Sequence, residues 1–167
     1  MALYRLSFTG RYDHVIDDKG RIMLSSNLRD MLSKSEFSDS LHVGHVPGTD
    51  FLSVYPYERW KVLVEDWTDE KRFPSTQVML DSQRLFFANI EPMNVDKAGR
   101  VLVPSRFRDK AGLKSECAIL GVGEKMELWV PAKLDEKEAA DMAAFMKLSS
   151  EESAKGLTAE ENRLPSF

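Results

Sequence analysis

Two short stretches of this chain carry the same charged residues at the same spacing: "IDDKGRIMLSSNLRD" at residues 16–30 and "VDKAGRVLVPSRFRD" at residues 95–109. Aligned without gaps, Asp17, Gly20, Arg21, Ser26, Arg29 and Asp30 fall on Asp96, Gly99, Arg100, Ser105, Arg108 and Asp109, and five further pairs are apolar on apolar. Chance alone gives about one identity in a window of this size at average residue usage. The stretches are therefore an internal duplication. An Asp and an Arg four residues apart on a tight turn can form a charge-assisted pair. The planar fork of Arg also matches phosphates and guanine edges, and a neighbouring Lys adds a point charge. Lys19 and Lys97 sit at the two tips, with Arg29 and Arg108 one short helix further on.

Two readings of the motif follow. In the structural one, Asp holds the turn and Arg holds Asp: Asp at the first position and Gly at the fourth are type I turn preferences, and Gly supplies the positive φ of a three-residue hairpin with a bulge. In the functional one, the turn presents its Lys and Arg to a duplex. The two combine if Asp orients an Arg that reads DNA.

Each copy reads as a hairpin, a short helix, another strand pair and a longer helix. "RYDHVID" alternates with Tyr12, His14 and Ile16 on one face, as in a half-buried strand, and "RIML" reads as its return strand. "SSNLRDML" follows as a Ser-capped short helix; in the second copy "PSRFRDKAGL" has Pro104 at the start and Gly112 at the end. "DFLSVYP" and "KMELWVP" are later strands, reached through "GHVPGT" and "GVGE". "YERWKVLVEDW" places Trp60, Leu63, Val64 and Trp67 on one helical face, and Leu134 to Met146 repeat more loosely at that spacing. Between the copies, Val78, Met79, Ser82, Leu85, Phe86 and Asn89 outline a connecting helix with a mixed face. The expected division is a first repeat at 8–73, a connecting helix at 74–90, a second repeat at 91–148 and an acidic, mobile tail at 149–167.

Composition bounds the function. The 167 residues are 43% hydrophobic and 30% charged, a soluble globular profile able to bury a core. Arg5, Arg11, Asp13, Asp17 and Asp18 interrupt the first thirty residues, which hold neither a signal-peptide core nor a membrane span, so a cytoplasmic protein is expected. One cysteine, Cys117, excludes an intrachain disulfide and a cysteine-rich zinc site. A net charge of −4 argues against a nucleic-acid partner until its distribution is considered. Residues 97–114 hold six basic side chains and one acidic one, whereas residues 135–162 hold eight acids and three lysines. A chain acidic in bulk can present a basic face.

The doubled D-x-x-x-R within "YDHVIDDKGR" and "VDKAGRVLVPSRFR", together with "FLSVYPYERW" and "AILGVGEKMELW", closely resembles the MraZ family of bacterial transcriptional regulators over about residues 8–135. The resemblance implies an α+β fold in which two interlocked repeats form a split, swapped-hairpin AbrB-like β-barrel with peripheral helices. It further implies a ring-shaped homo-oligomer at the nucleoid. Such a ring binds short direct repeats of double-stranded DNA in the promoter of the division and cell-wall gene cluster, usually as a repressor. Carried over, the contact motif falls on Asp17, Lys19, Gly20 and Arg21 and on Asp96, Lys97, Gly99 and Arg100. Lys19, Arg21, Lys97, Arg100, Arg11, Arg29, Arg106 and Arg108 are the candidate DNA-binding residues, with Asp17, Gly20, Asp96 and Gly99 forming the turns and orienting the arginines. Ser25 departs from a proline common in the family; Pro104 keeps it.

Other signals are weaker. His42 and His45 point to opposite faces of a strand, with no cysteine or carboxylate placed to complete a metal site. "GVGEK" lacks the length and ending of a phosphate loop and reads as a hairpin turn. Trp60, Trp67 and Trp129 read as core or interface anchors. No nucleophile, base and acid combination argues for catalysis, and no cofactor or small-molecule substrate is expected. The competing class is an oligomeric protein-interaction module in which the Asp–Arg motifs are only subunit contacts.

Overall fold

The computed structural model describes residues 7–69, 71 and 76–154. The chain divides into two compact units, Met1–Pro131 and Ala132–Phe167. The described part of the first unit runs β1 (Arg11–Val15), β2 (Arg21–Met23), α1 (Ser26–Leu32), β3 (Ser40–Gly44), β4 (Phe51–Pro56), α2 (Tyr57–Thr68), α3 (Gln77–Ala88), β5 (Ile90–Asn94), β6 (Arg100–Leu102), α4 (Ser105–Ala111), β7 (Glu116–Val122) and β8 (Lys125–Trp129). The second unit is described by the part of α5 (Pro131–Ala154) that follows Pro131, a residue at a first-turn position that needs no N–H donor. Helix α5 continues through residues 149–154 of the expected tail, and 155–167 lie outside the described residues. It exposes Met142 and Met146, and Lys137 pairs with Asp141 one turn on.

The class is α+β with antiparallel strands, and no closed barrel forms among the described residues. Six strands order as β1-β7-β8-β4-β3-β5, and β2 and β6 pair separately as a short ribbon. Under the duplication, β1 corresponds to β5, β2 to β6, β3 to β7 and β4 to β8. The six-strand order then reads the same from either edge. Each repeat's first strand pairs with the other repeat's third: β1 with β7 and β5 with β3. The copies are interleaved.

Interleaving corrects the expected hairpins. The turns form, with Gly20 N donating to Asp17 O and Asp17 N to Arg21 O, and the same bonds at Asp96, Gly99 and Arg100. Beyond them the flanking strands pair only through single bridges, Ile16 to Ile22 and Val95 to Val101. A bulged turn raises the local twist. Each flanking strand then has a longer ladder available in the other repeat.

Both copies send equivalent apolar residues inward. Ile22 and Val101 lie beneath the ribbon, and Leu28 of α1 and Phe107 of α4 seat the short helices in the core cluster. Ser25 caps α1 through Leu28 N, and Gly112, at φ 72°, ends α4 in the left-handed region. Cys117 is buried among them, and burial pushes its thiol up to about 12.

Helices α2 and α3 are less covered. Trp60, Leu63, Val64 and Trp67 share the face of α2 that the spacing assigns them, but none is fully buried. On α3, Phe86 stacks on Trp67 at 4.7 Å between ring centres, whereas Val78 and Leu85, on the mixed face that the spacing outlines, are 76% and 52% exposed. Trp60 stacks on His42 at 4.5 Å, and Trp129 on Phe51 at 4.6 Å. "GVGEK" is the tight β7–β8 turn, with Val122 paired to Lys125.

Candidate nucleic-acid interface

The two turns are built alike from four residues. Asp17 Oδ1 accepts the backbone N–H groups of Lys19 and Arg21, both at 2.9 Å, and its Oδ2 accepts from Arg21 Nε at 2.7 Å. Asp96 repeats this with Ala98 N, Arg100 N and Arg100 Nε, each at 2.9 Å. The Arg N–H at Oδ1 is the main reason both carboxyls titrate below their ordinary value; the Arg side chain and second backbone N–H add to it, and desolvation opposes. The pair is single-pronged through Nε. Among the described residues no group takes the terminal nitrogens of Arg21 or Arg100, and no carboxylate pairs with Lys19 or Lys97. One oxygen of each Asp fixes the turn while the other aims an Arg whose fork stays available.

Glycine serves the turns twice. Gly20 and Gly99 adopt φ of 83° and 80°, which a Cβ disfavours. A Cβ on Gly20 would also lie 2.6 Å from Arg108 Cζ, and one on Gly99 2.7 Å from Arg29 Cδ. Arg108 thus packs over the first repeat's turn, where its Nε donates to Val103 O at 3.1 Å, and Arg29 packs over the second repeat's turn. Arg29, Asp96, Lys97 and Gly99 line one cleft of about 260 Å³.

Strands β2 and β6 join the turns. Arg21 lies opposite Leu102, Ile22 opposite Val101 and Met23 opposite Arg100; Leu24 N to Gly99 O and Val103 N to Gly20 O extend the ribbon at both ends. Side chains alternate across a strand. With Ile22 and Val101 buried, the outer face carries Arg21, Met23, Arg100 and Leu102, and Met23 and Leu102 are 49% and 54% exposed. One end of the ribbon holds Lys19, Arg21 and Arg108, and the other holds Lys97, Arg100 and Arg29. Gly20 and Leu24 are four residue steps apart along the strand, about 14 Å at strand rise.

The remaining candidates stand apart from this arrangement. Arg11 lies on β1 with its Nε 3.3 Å from Asp13. Arg106 pairs with Glu91 at 2.6 Å and lies over the Phe107 ring, so its charge is partly spent. Met23 and Leu102 are uncharged and lie outside the D-x-x-x-R motif, although the alternation in "RIM" and "RVL" places them beside the arginines. Among the described residues no three His, Cys, Asp or Glu side chains gather to hold a metal, and no helix is long and apolar enough to cross a membrane. His45 Nε2 lies 3.0 Å from Thr49 O.

Comparison with known proteins gives a consistent result. The family model described as "MraZ protein, putative antitoxin-like" matches residues 7–83 and again residues 86–164. The "Transcriptional regulator MraZ" of Lachnoclostridium phytofermentans is 38% identical over 123 residues, 73% of this chain and 80% of that protein. Its namesake in Heliobacterium modesticaldum is 37% identical over 124 residues, with the same coverage of 73% and 80%. A third, from Geobacter metallireducens, is 32% identical over 146 residues, 83% of this chain and 92% of that protein.

Proposed function

The chain belongs to the MraZ family, and from that premise we propose that it is a sequence-specific DNA-binding transcriptional regulator, a repressor that binds short direct repeats in the promoter of the division and cell-wall gene cluster. The observation that carries this reading is the pair of Asp-held arginines on the outer face of one ribbon, with their terminal nitrogens unpaired among the described residues. An Arg whose Nε is already held loses little freedom when its terminal nitrogens meet a guanine edge or a phosphate. Lys19, Lys97, Arg29 and Arg108 serve the neighbouring phosphates; Arg11 and Arg106 are peripheral.

The repressor acts as a ring-shaped homo-oligomer at the nucleoid. Support for self-association comes from Val62, Val78, Leu80 and Leu85, four large apolar side chains left outside on α2 and α3. Linked subunits also answer the net charge of −4, because avidity across repeated sites raises affinity without a strong patch on any one chain. We read the six-stranded sheet with the ribbon as the split, AbrB-like barrel of the family, formed by repeats at 8–73 and 91–148 joined through residues 74–90. The palindromic strand order supports that reading.

Footprinting on the DNA upstream of the protein's own gene tests the proposal. Wild-type protein is expected to protect short repeated sites in a salt-sensitive manner, and Arg21→Ala and Arg100→Ala to lose that protection while the oligomer persists. Equal affinity for random DNA, or protection unchanged in both variants, overturns it and favours the protein-interaction module.

A further inference from the structure

The outer face of the β2–β6 ribbon is mixed where phosphate binding alone would favour uniform charge. Arg21 and Arg100 occupy one diagonal, Met23 and Leu102 the other. Both apolar side chains are about half exposed, while Ile22 and Val101 between them are buried. The core therefore does not claim Met23 and Leu102, and basic groups at both ends of the ribbon complement a polyanion.

A partner for this face must offer guanine-like acceptors and small apolar groups side by side. The major groove of a duplex does so: it admits a two-stranded ribbon, is about 12 Å wide, and displays the thymine 5-methyl group among base-edge donors and acceptors. The basic ends of the ribbon, about 14 Å apart, match that width and reach the phosphates on either side. Along one strand, Arg21 and Met23 are two residues or about 7 Å apart, close to two base steps at 3.4 Å each.

Resting on the DNA-binding reading above, we infer that Met23 and Leu102 are specificity-determining residues that pack on thymine 5-methyl groups in the major groove, next to the bases read by Arg21 and Arg100. The operator then combines guanines with thymines within two base steps, and part of its recognition is apolar and insensitive to salt.

The test uses the full chain and a labelled duplex carrying the strongest footprinted upstream site, beside the same duplex with uracil replacing thymine. Uracil removes the methyl group and keeps the pairing edge. Wild-type protein is expected to bind the uracil duplex about fourfold more weakly for each contacted methyl, the burial of one methylene-sized group. Met23→Ala and Leu102→Ala should bind the thymine duplex more weakly by a similar factor and distinguish the two duplexes less than wild type does. Equal wild-type affinity for the two duplexes, or undiminished uracil discrimination in the double variant, overturns the inference while leaving DNA binding by the arginines intact. Failure of wild-type protein to prefer its upstream site over random DNA instead removes the underlying reading as well.

Discussion

At the scale of single residues, each turn depends on a division of labour within one carboxylate. Asp17 and Asp96 give one oxygen to two backbone N–H groups and the other to an Arg. Asn at either position keeps an acceptor for the turn but loses the charge that holds the guanidinium, so Asp17→Asn is expected to retain the oligomer and lose operator affinity, measured side by side by sedimentation and gel shift. The pH dependence has a definite sign. Both folded-state pKa values lie below 3.8, so the stabilisation is complete above that value and is lost as pH falls through the lower folded value. Thermal melts should reveal no loss from these groups between neutral pH and about 5. The turns were legible in the sequence because four consecutive residues write their chemistry. Arg108 over Gly20 and Arg29 over Gly99 were not, since nothing local to either Gly names the Arg that crosses from the other copy.

Element by element, legibility follows the range of the forces involved. The short helices announced themselves through Ser25, Pro104 and Gly112, residues whose preference is set by their own backbone. The hairpins did not extend, because a strand's choice of partner is decided by ladders far away in sequence, here β7 for β1 and β3 for β5. Likewise Val78 and Leu85 fit a helical face but not the packed one, since period alone does not say which side a neighbour covers. The ribbon is the element most exposed to test. Ile22→Ala removes a fully buried side chain under the outer face of the ribbon and should cost about 2–5 kcal/mol in denaturant unfolding. Gly20→Ala forces a left-handed φ on a residue with a Cβ, costing about 1–2 kcal/mol, and pushes Arg108 from its seat. Its operator affinity should fall further than its stability explains.

For the whole molecule, the duplication was plain in the sequence, but the exchange of strands between its copies was not. That exchange makes each half incomplete: a fragment ending in α3 retains β1 without β7 and β2 without β6. The self-association reading makes a separate demand. Val78→Glu with Leu85→Glu alters two exposed positions and is expected to lower the sedimentation coefficient while leaving the circular dichroism of the subunit unchanged. The two turns also differ in charge, with Asp18 and Lys19 at the first tip and Lys97 and Ala98 at the second. If Lys97 meets a phosphate, Lys97→Ala should reduce the slope of log affinity against log salt by about 0.9 per bound subunit.

That inequality of the tips gives the near-symmetric ribbon a direction. A strictly twofold reading head is blind to being turned around, so it matches inverted sequences. Here one end offers Asp18 and Lys19 beside Met23's strand, the other Lys97 and Ala98 beside Leu102's, and reversal exchanges unlike groups. If the ribbon reads DNA as proposed, subunits that all face the same way along a duplex require sites repeated in the same sense. A duplicated gene, by letting its two halves diverge under one shared ribbon, would under that proposal acquire a polarity on DNA that a symmetric pair of identical chains cannot have.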